Sequence, residues 1–466
     1  MTSTSEPAKR TLRHQLQDLA SRTRRQWRQL ERDVRNKVTW SRLYRATSYA
    51  QSALWIVPFV SIVLVMFVAP AIRSLDAALG WRFVGLSPHG AETLYDSVIT
   101  LTLSFVVFTF GSLLVAIQIA SGQLSPRIIA TTLLRDSVVR YSVGLFVFTL
   151  LYAIMAENRL EAGPNQLVAF VTGGLGLVSV MVFLFLIDYA ARLLRPVAIV
   201  SRVSDQGLEV IKAVYPNPVG EEGDTATPLD DLPEGPRRVV THASRSQIIL
   251  AVNLDAVMRL ARRSRGVVEL IPKVGDFLAT GEALFVLHGG ATEIDDQKLR
   301  DAVAFGSERT MEQDPLFGFR ILVDIAIKAL SPAINDPTTA VLVLDQIHRL
   351  LRALGRRRLQ GDTLTDGLGH RRVIFPTPNW EDFVHLACHE IRAYGAGNVQ
   401  VARRLRAMLD NLVASLPQHR HAALVAERDR LDQALTALYP VPGDLALARV
   451  PDSQGLGGST TGATKN

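Results

Sequence analysis

Four long apolar stretches interrupt an otherwise polar chain, and all four lie between about residue 52 and residue 190. They run Ala53–Ile72, Ser97–Ile119, Val138–Ala156 and Leu167–Ile187. Each is about twenty residues long and nearly free of charge, enough to cross ~30 Å of hydrocarbon as a helix. Trp55 stands at the start of the first, where aromatic belts form, and Arg73 closes it. The loop from Glu157 to Gln166 is short and carries Pro164-Asn165, so spans three and four form a tight antiparallel pair.

The flanks follow other periods. Residues 8–47 place Leu12, Leu16, Leu19, Trp27, Leu30 and Val34 near helical spacing among arginines, predicting an amphipathic charged helix. Such an arm either lies on anionic lipid headgroups or is a solvated helix that sets topology. After span four a polar helix extends to about Ala213, followed by a Pro/Gly/Asp-rich linker, Tyr215–Arg237. Short β-like runs come next, Gln247–Val252, Gly266–Pro272 and Ala283–His288, with a helix near Leu254–Arg263. Residues 294–440 read as mainly helical, and the Gly/Ser/Thr-rich tail from Pro451 reads as disordered.

Charge sharpens the topology. The 466-residue chain carries +7, yet residues 1–50 alone hold 12 Lys/Arg against 4 Asp/Glu, a balance of +8 that leaves −1 for the rest. The basic balance therefore describes one arm and not a nucleic-acid-binding face. Arg127, Arg135 and Arg140 follow span two, and Arg192, Arg195 and Arg202 follow span four. An even number of spans puts both termini on this basic side, which is cytoplasmic, in a bacterial inner membrane. The first apolar stretch lies too far from the N-terminus for a signal peptide. The single cysteine, Cys388, excludes an intrachain disulfide.

Span two holds the most polar groups. Thr100, Ser104, Gly111 and Gln118 fall near one helical face that continues toward Ser121 and Gln123. Such a face lines an aqueous path, or packs with its hydroxyls bonded to their own backbone. Span four carries Thr172, Gly173, Gly174, Gly176 and Ser179, a packing seam. Asp188 at its end pairs with Arg192 one turn later.

In the second half, Asp314-Pro315 and Asp336-Pro337 each read as an N-cap followed by proline at the first helical position. Around them Glu308, Arg309, Arg320, Asp324, Asn335, Asp336 and Thr338 form a candidate ligand pocket. His385 and His389 stand four residues apart, but no third ligand accompanies them, so no metal is expected. No P-loop, nucleophile elbow, dinucleotide fingerprint or zinc-finger spacing occurs, and no catalytic constellation is found.

Two resemblances add to this. Val274-Gly275-Asp276-Phe277 with Gly281 and Leu284 is similar to the cadence of the barrel-sandwich hybrid fold of biotinyl and lipoyl carriers and efflux adaptors. No modifiable lysine sits at a hairpin tip, so a structural module and no cofactor are expected. Gln118–Arg127, Glu308–Pro315, Phe317–Arg320, Val323–Ala326 and above all Ala329–Ala340 (ALSPAINDPTTA) are similar to bacterial membrane proteins grouped as domain of unknown function 2254. The resemblance covers roughly residues 50–440 and implies a membrane domain followed by a soluble region, with no established activity.

The expected fold is an α-helical membrane protein with a cytoplasmic α+β domain. Its parts are a basic arm (1–50), four transmembrane helices (51–195), a helix and flexible linker (196–237), a β-rich module (238–290), a helical domain (291–445) and a tail (446–466). The leading functional expectation is a homo-oligomeric channel or transport-like protein with a cytoplasmic regulatory domain. The alternative is a membrane-anchored sensor or scaffold whose soluble part binds a ligand or partner.

Overall fold

The computed structural model describes residues 40–80, 85–123, 136–158, 166–193, 195–219, 235–359 and 363–457. Most of the basic arm, residues 124–135 after span two, and most of the linker lie outside the described residues.

Helix α1 (Trp40–Ser52) is followed by α2 (Ile56–Leu79), α3 (Pro88–Gln123), α4 (Ser137–Glu157) and α5 (Gln166–Leu193). Helices α2 to α5 are each long and apolar enough to cross a membrane. They overrun the apolar windows because helical hydrogen bonding continues into the polar flanks. Span three is the middle of the bundle, with α4 against α2, α3 and α5. Its small buried residues, Ser142, Gly144, Thr149, Ala153 and Ala156, let neighbouring backbones approach. A methyl group at Gly144 would stand 2.5 Å from Val57 Cγ1. Of the span-four glycines, Gly176 packs on α3, since a methyl group there would stand 2.8 Å from Val98 Cγ2, whereas Gly174, expected in the same seam, is exposed with nothing within 4 Å.

Helix α6 (Pro196–Val214) opens with proline at its first turn and has an apolar face of Ile199, Val203, Gly207 and Ile211.

The described residues fall into two compact units. The smaller combines the end of the N-terminal arm, the stretch Leu229–Glu308 and the insertion Thr363–Phe375. Its strands are β1 (Arg237–Thr241), β2 (Gln247–Val252), β3 (Val267–Leu270), β4 (Phe277–Leu278), β5 (Ala283–His288) and β6 (Val303–Gly306). Two further strands, β7 (Thr363–Thr365) and β8 (Arg371–Ile374), come from within the stretch read as mainly helical. One sheet has the order β1-β5-β3-β8-β7 and the other β4-β2-β6. Only β3 and β8 pair in parallel. Helices α7 (Leu254–Ser264) and α8 (Asp296–Arg300) complete the unit. Gly275 and Gly281 take positive φ, 94° and 90°, so the glycine cadence does mark tight turns. No barrel closes among the described strands. The hairpins are shared between two sheets, and β8 extends one of them from a distant part of the chain. Trp40 and Tyr44 of α1 pack on Leu250, Ala251 and Ala304.

The larger unit contains the membrane helices, α6, and a helical assembly. The assembly comprises α9 (Pro315–Ala329), α10 (Pro337–Gly355), α11 (Trp380–Gly395), α12 (Val399–Ser415), α13 (His421–Leu438) and α14 (Pro442–Ala448). Ile199, Val203 and Ile211 of α6 join its core beside Phe319, Leu344, Phe383 and Met408. Each such fully buried side chain stabilises by roughly 1.5–3 kcal/mol. The expected caps form: Asp314 accepts from the Phe317 N–H at 3.2 Å and Asp336 from the Thr339 N–H at 3.0 Å.

Residues 451–457 correct the disorder expected of the tail. Asp452 is buried and accepts from the N–H groups of Gln454, Gly455 and Gly457. The buried Arg403 binds the carbonyls of Val450 and Gly457. Composition predicts disorder because it is blind to a buried arginine supplied from a distant helix.

Candidate functional site

The two faces of α3 differ. Thr102 and Thr109 are buried in the bundle, and their hydroxyls donate to the carbonyls of Val98 and Phe105 at 2.6 and 2.7 Å. Thr100, Ser104, Gly111 and Gln118 all lie on the face that the protomer leaves uncovered. Nothing stands within 4 Å of a methyl group placed on Gly111. Ser104 donates to the Thr100 carbonyl at 2.8 Å, so its hydroxyl is satisfied without water. Helix α3 continues through Ser121 and Gln123, whose side chains lie outside the described residues.

At the α6 end of the bundle stands a polar network absent from the sequence-derived candidates. Asp136, 5% exposed, caps α4 by accepting from the N–H groups of Val138 and Val139 at 2.9 and 3.2 Å. Its other carboxylate oxygen accepts from the Tyr189 hydroxyl at 2.6 Å and from Arg202 at 2.7 Å. Arg202 also donates to the Tyr189 hydroxyl at 3.0 Å, closing the ring. Every lone pair that burial would otherwise strand has a donor. The network ties the start of α4 to the end of α5 and to α6. Arg140, one turn into α4, donates to the Ala50 carbonyl of α1 at 3.2 Å. Asp188 does pair with Arg192, but on the exposed side. The local signal, an aspartate directly before an apolar helical run, announces only the cap and not the ring with Tyr189 and Arg202.

The polar residues of the helical assembly separate into small groups. Arg320 and Asp324 come together, 2.7 Å apart, and Arg320 also grips both carboxylate oxygens of Glu390. The Arg320 guanidinium holds the Glu390 carboxyl below the usual carboxylate range, against the opposing effect of partial burial. Asp336 is occupied as the α10 cap and also accepts from the Thr339 hydroxyl. Asn335 and Thr338 are exposed beside it, with Asn335 at φ 48°. Glu308 and Arg309 are exposed as well, on a different segment. The seven residues thus give one ion cluster, one helix cap and exposed neighbours. The cluster's third member, Glu390, was missed because it lies 70 residues from Arg320.

The rings of His385 and His389 stack at 4.7 Å on the exposed side of α11. No group of three metal-ligating side chains occurs among the described residues. Cys388 is fully buried, and burial pushes its thiol well above the ordinary range, so it is a packing residue and a poor nucleophile.

Comparison with known proteins gives three findings. The sequence profile of a family described as "Predicted membrane protein (DUF2254)" matches residues 51–411. The uncharacterized proteins Rv1290c of Mycobacterium tuberculosis and Mb1321c of Mycobacterium bovis are each 28% identical over 380 residues. Those alignments cover 78% of this chain and 72% of each relative. No solved structure matches the chain.

Proposed function

The chain belongs to the DUF2254 family of predicted membrane proteins, and within that family we propose that it is a homo-oligomeric, channel-like protein. In this reading the uncovered face of α3 meets its equivalents in neighbouring copies. One observation carries it: Thr100, Ser104, Gly111 and Gln118 share the face of α3 that the protomer does not cover. Polar side chains facing lipid are costly unless protein or water meets them. The open space over Gly111 permits close approach of another helix. Four spans in one protomer are few for a conduction path, and a ring of copies supplies the rest.

Helix α6 supplies the regulatory link. It is bound to the bundle through Asp136 and Tyr189 and buried in the helical core through Ile199, Val203 and Ile211. The charge asymmetry supports a cytoplasmic position for this helical assembly, with both termini on the same side of a bacterial inner membrane. No residue is given a catalytic role.

The test is a Gly111→Cys variant oxidised in native membranes, paired with current recording on the purified protein in planar bilayers. Disulfide-linked dimers and a conductance altered by Gln118→Leu are expected. Absence of both cross-link and current overturns the reading in favour of a membrane-anchored sensor or scaffold.

A further inference from the structure

The bundle's other end, remote from α6, carries a second polar cluster with a different character. Asp76 on α2 is 6% exposed, and Tyr95 on α3 and Tyr152 on α4 are each 1% exposed. The two tyrosines share one packed cluster with Val65, Ala69, Ala156 and Val168. Tyr152 lies within electrostatic reach of Tyr95, Asp76 and Arg73. Its hydroxyl is buried and has no hydrogen-bond partner among the described residues.

The neighbours of this hydroxyl are otherwise engaged. Asp76 accepts from the Leu167 N–H at the start of α5 at 3.3 Å, and Arg73 donates to the Met155 carbonyl at 2.5 Å. Gln166 clamps the backbone N–H and carbonyl of Leu86. A buried hydroxyl without a partner calls for a physical explanation, and a cation held among neighbouring oxygens supplies one. The polar groups within electrostatic reach of it include a second phenol and a carboxylate, whose oxygens suit a cation. Around the rim, Glu92 and Asp96 are exposed and Glu157 lies beside Asp96. With Asp76 and Arg73 this end sums to four negative charges and one positive among the described Asp, Glu, Lys and Arg side chains of the cluster.

We propose that Asp76, Tyr95 and Tyr152 form a binding site for a monovalent, sodium-like cation, entered past the acidic rim. Hard cations take oxygen ligands, and divalent sites gather several carboxylates, whereas this site offers one buried carboxylate and neutral hydroxyls. The single charge of Asp76 matches a single positive charge. Arg73 opposes occupancy, which keeps affinity low, as suits an ion that must also leave. The inference names the ion for the channel reading and rests on that reading only for its transport role. The site itself belongs to one protomer.

The experiment uses the full chain purified in detergent. Thermal unfolding is followed in NaCl against N-methyl-D-glucamine chloride at equal ionic strength, alongside equilibrium binding of radioactive sodium. Wild-type protein is expected to gain thermal stability saturably with sodium. Tyr152→Phe, which removes one oxygen and little else, is expected to weaken apparent sodium affinity about tenfold, the equivalent of one hydrogen-bond-scale contact. Asp76→Asn is expected to abolish it, and Tyr189→Phe, at the α6 end, to leave it intact. Equal stability of wild type in both salts, or an undiminished sodium response in Tyr152→Phe, overturns the site and leaves a bound water only. Sodium binding without either current or the Gly111→Cys cross-link removes the channel reading but not the site. Current without sodium binding does the reverse.

Discussion

Two buried carboxylates, at opposite ends of one helical bundle, are treated differently. Asp136 receives two backbone N–H groups, a tyrosine hydroxyl and a guanidinium. Asp76 receives one long N–H contact, and the tyrosine hydroxyl nearby has no partner at all among the described residues. In a bundle of this kind, a satisfied carboxylate is a joint, because breaking it strands a charge. One with few donors is open to a cation, because a group of the right chemistry lowers its energy on arrival. The first ties elements together, and the second admits a ligand.

The contrast can be broken by experiment. The largest effect is expected for Arg202→Met, which leaves Asp136 buried with one cationic partner gone. A loss of about 2–3 kcal/mol is expected, at the low end for a broken buried pair because Arg202 is partly exposed. Chemical denaturation in detergent measures it. The double variant with Asp136→Asn should recover part of the loss, and strict additivity would remove the coupling.

Packing gives the next contrast. Gly144→Ala should cost about 1–3 kcal/mol, since its methyl group meets Val57 Cγ1 at 2.5 Å. Gly111→Ala should leave the protomer's unfolding midpoint unchanged, because that methyl group meets nothing within 4 Å. A loss at Gly111 equal to that at Gly144 would mean the α3 face is already covered within one protomer.

The paired tyrosines sharpen the comparison most directly. Tyr189→Phe removes a hydrogen bond to a charged group and should cost about 1.5–2 kcal/mol. Tyr152→Phe, measured without sodium, should cost nothing or stabilise slightly, because the lost hydroxyl had no partner. Equal costs at the two positions would erase the distinction.

The smallest effect is expected from acid, through satisfied carboxylates outside the bundle. Arg320 depresses Glu390. Although burial acts the other way, Arg372 and the N–H groups of Leu368 and His370 hold Asp366 at about 2. Depressed carboxylates contribute stability that is present above their unfolded value of ~4 and lost as pH falls through the folded one. A midpoint that declines gradually from about pH 4 toward pH 2 is expected. A midpoint rising over that window would reverse the sign.

How much of this the sequence carried depends on distance along the chain. The four spans were legible because lipid demands about twenty apolar residues in succession. The Asp314 and Asp336 caps were legible because a cap and its N–H lie three residues apart. The Gly176 seam was legible from the small residues clustered with it. The Asp136 ring joins residues 53 and 66 positions apart, and Glu390 reaches Arg320 across 70, so no local pattern announces either. Strands β7 and β8 escaped notice because they are only three and four residues long. Asp76 was passed over because the first span seemed to end at Arg73, whereas α2 continues to Leu79.

Cys388 has a practical consequence for all of these tests. It is the chain's one cysteine, and it is sealed inside the helical core with its thiol held protonated. A fluorophore, spin label or cross-linker therefore meets a chemically silent background. One engineered cysteine at Gly111, Thr100 or Asp96 becomes the sole reactive handle without first removing the native one. Distances between copies of the protein can then be measured spectroscopically on otherwise unaltered chains.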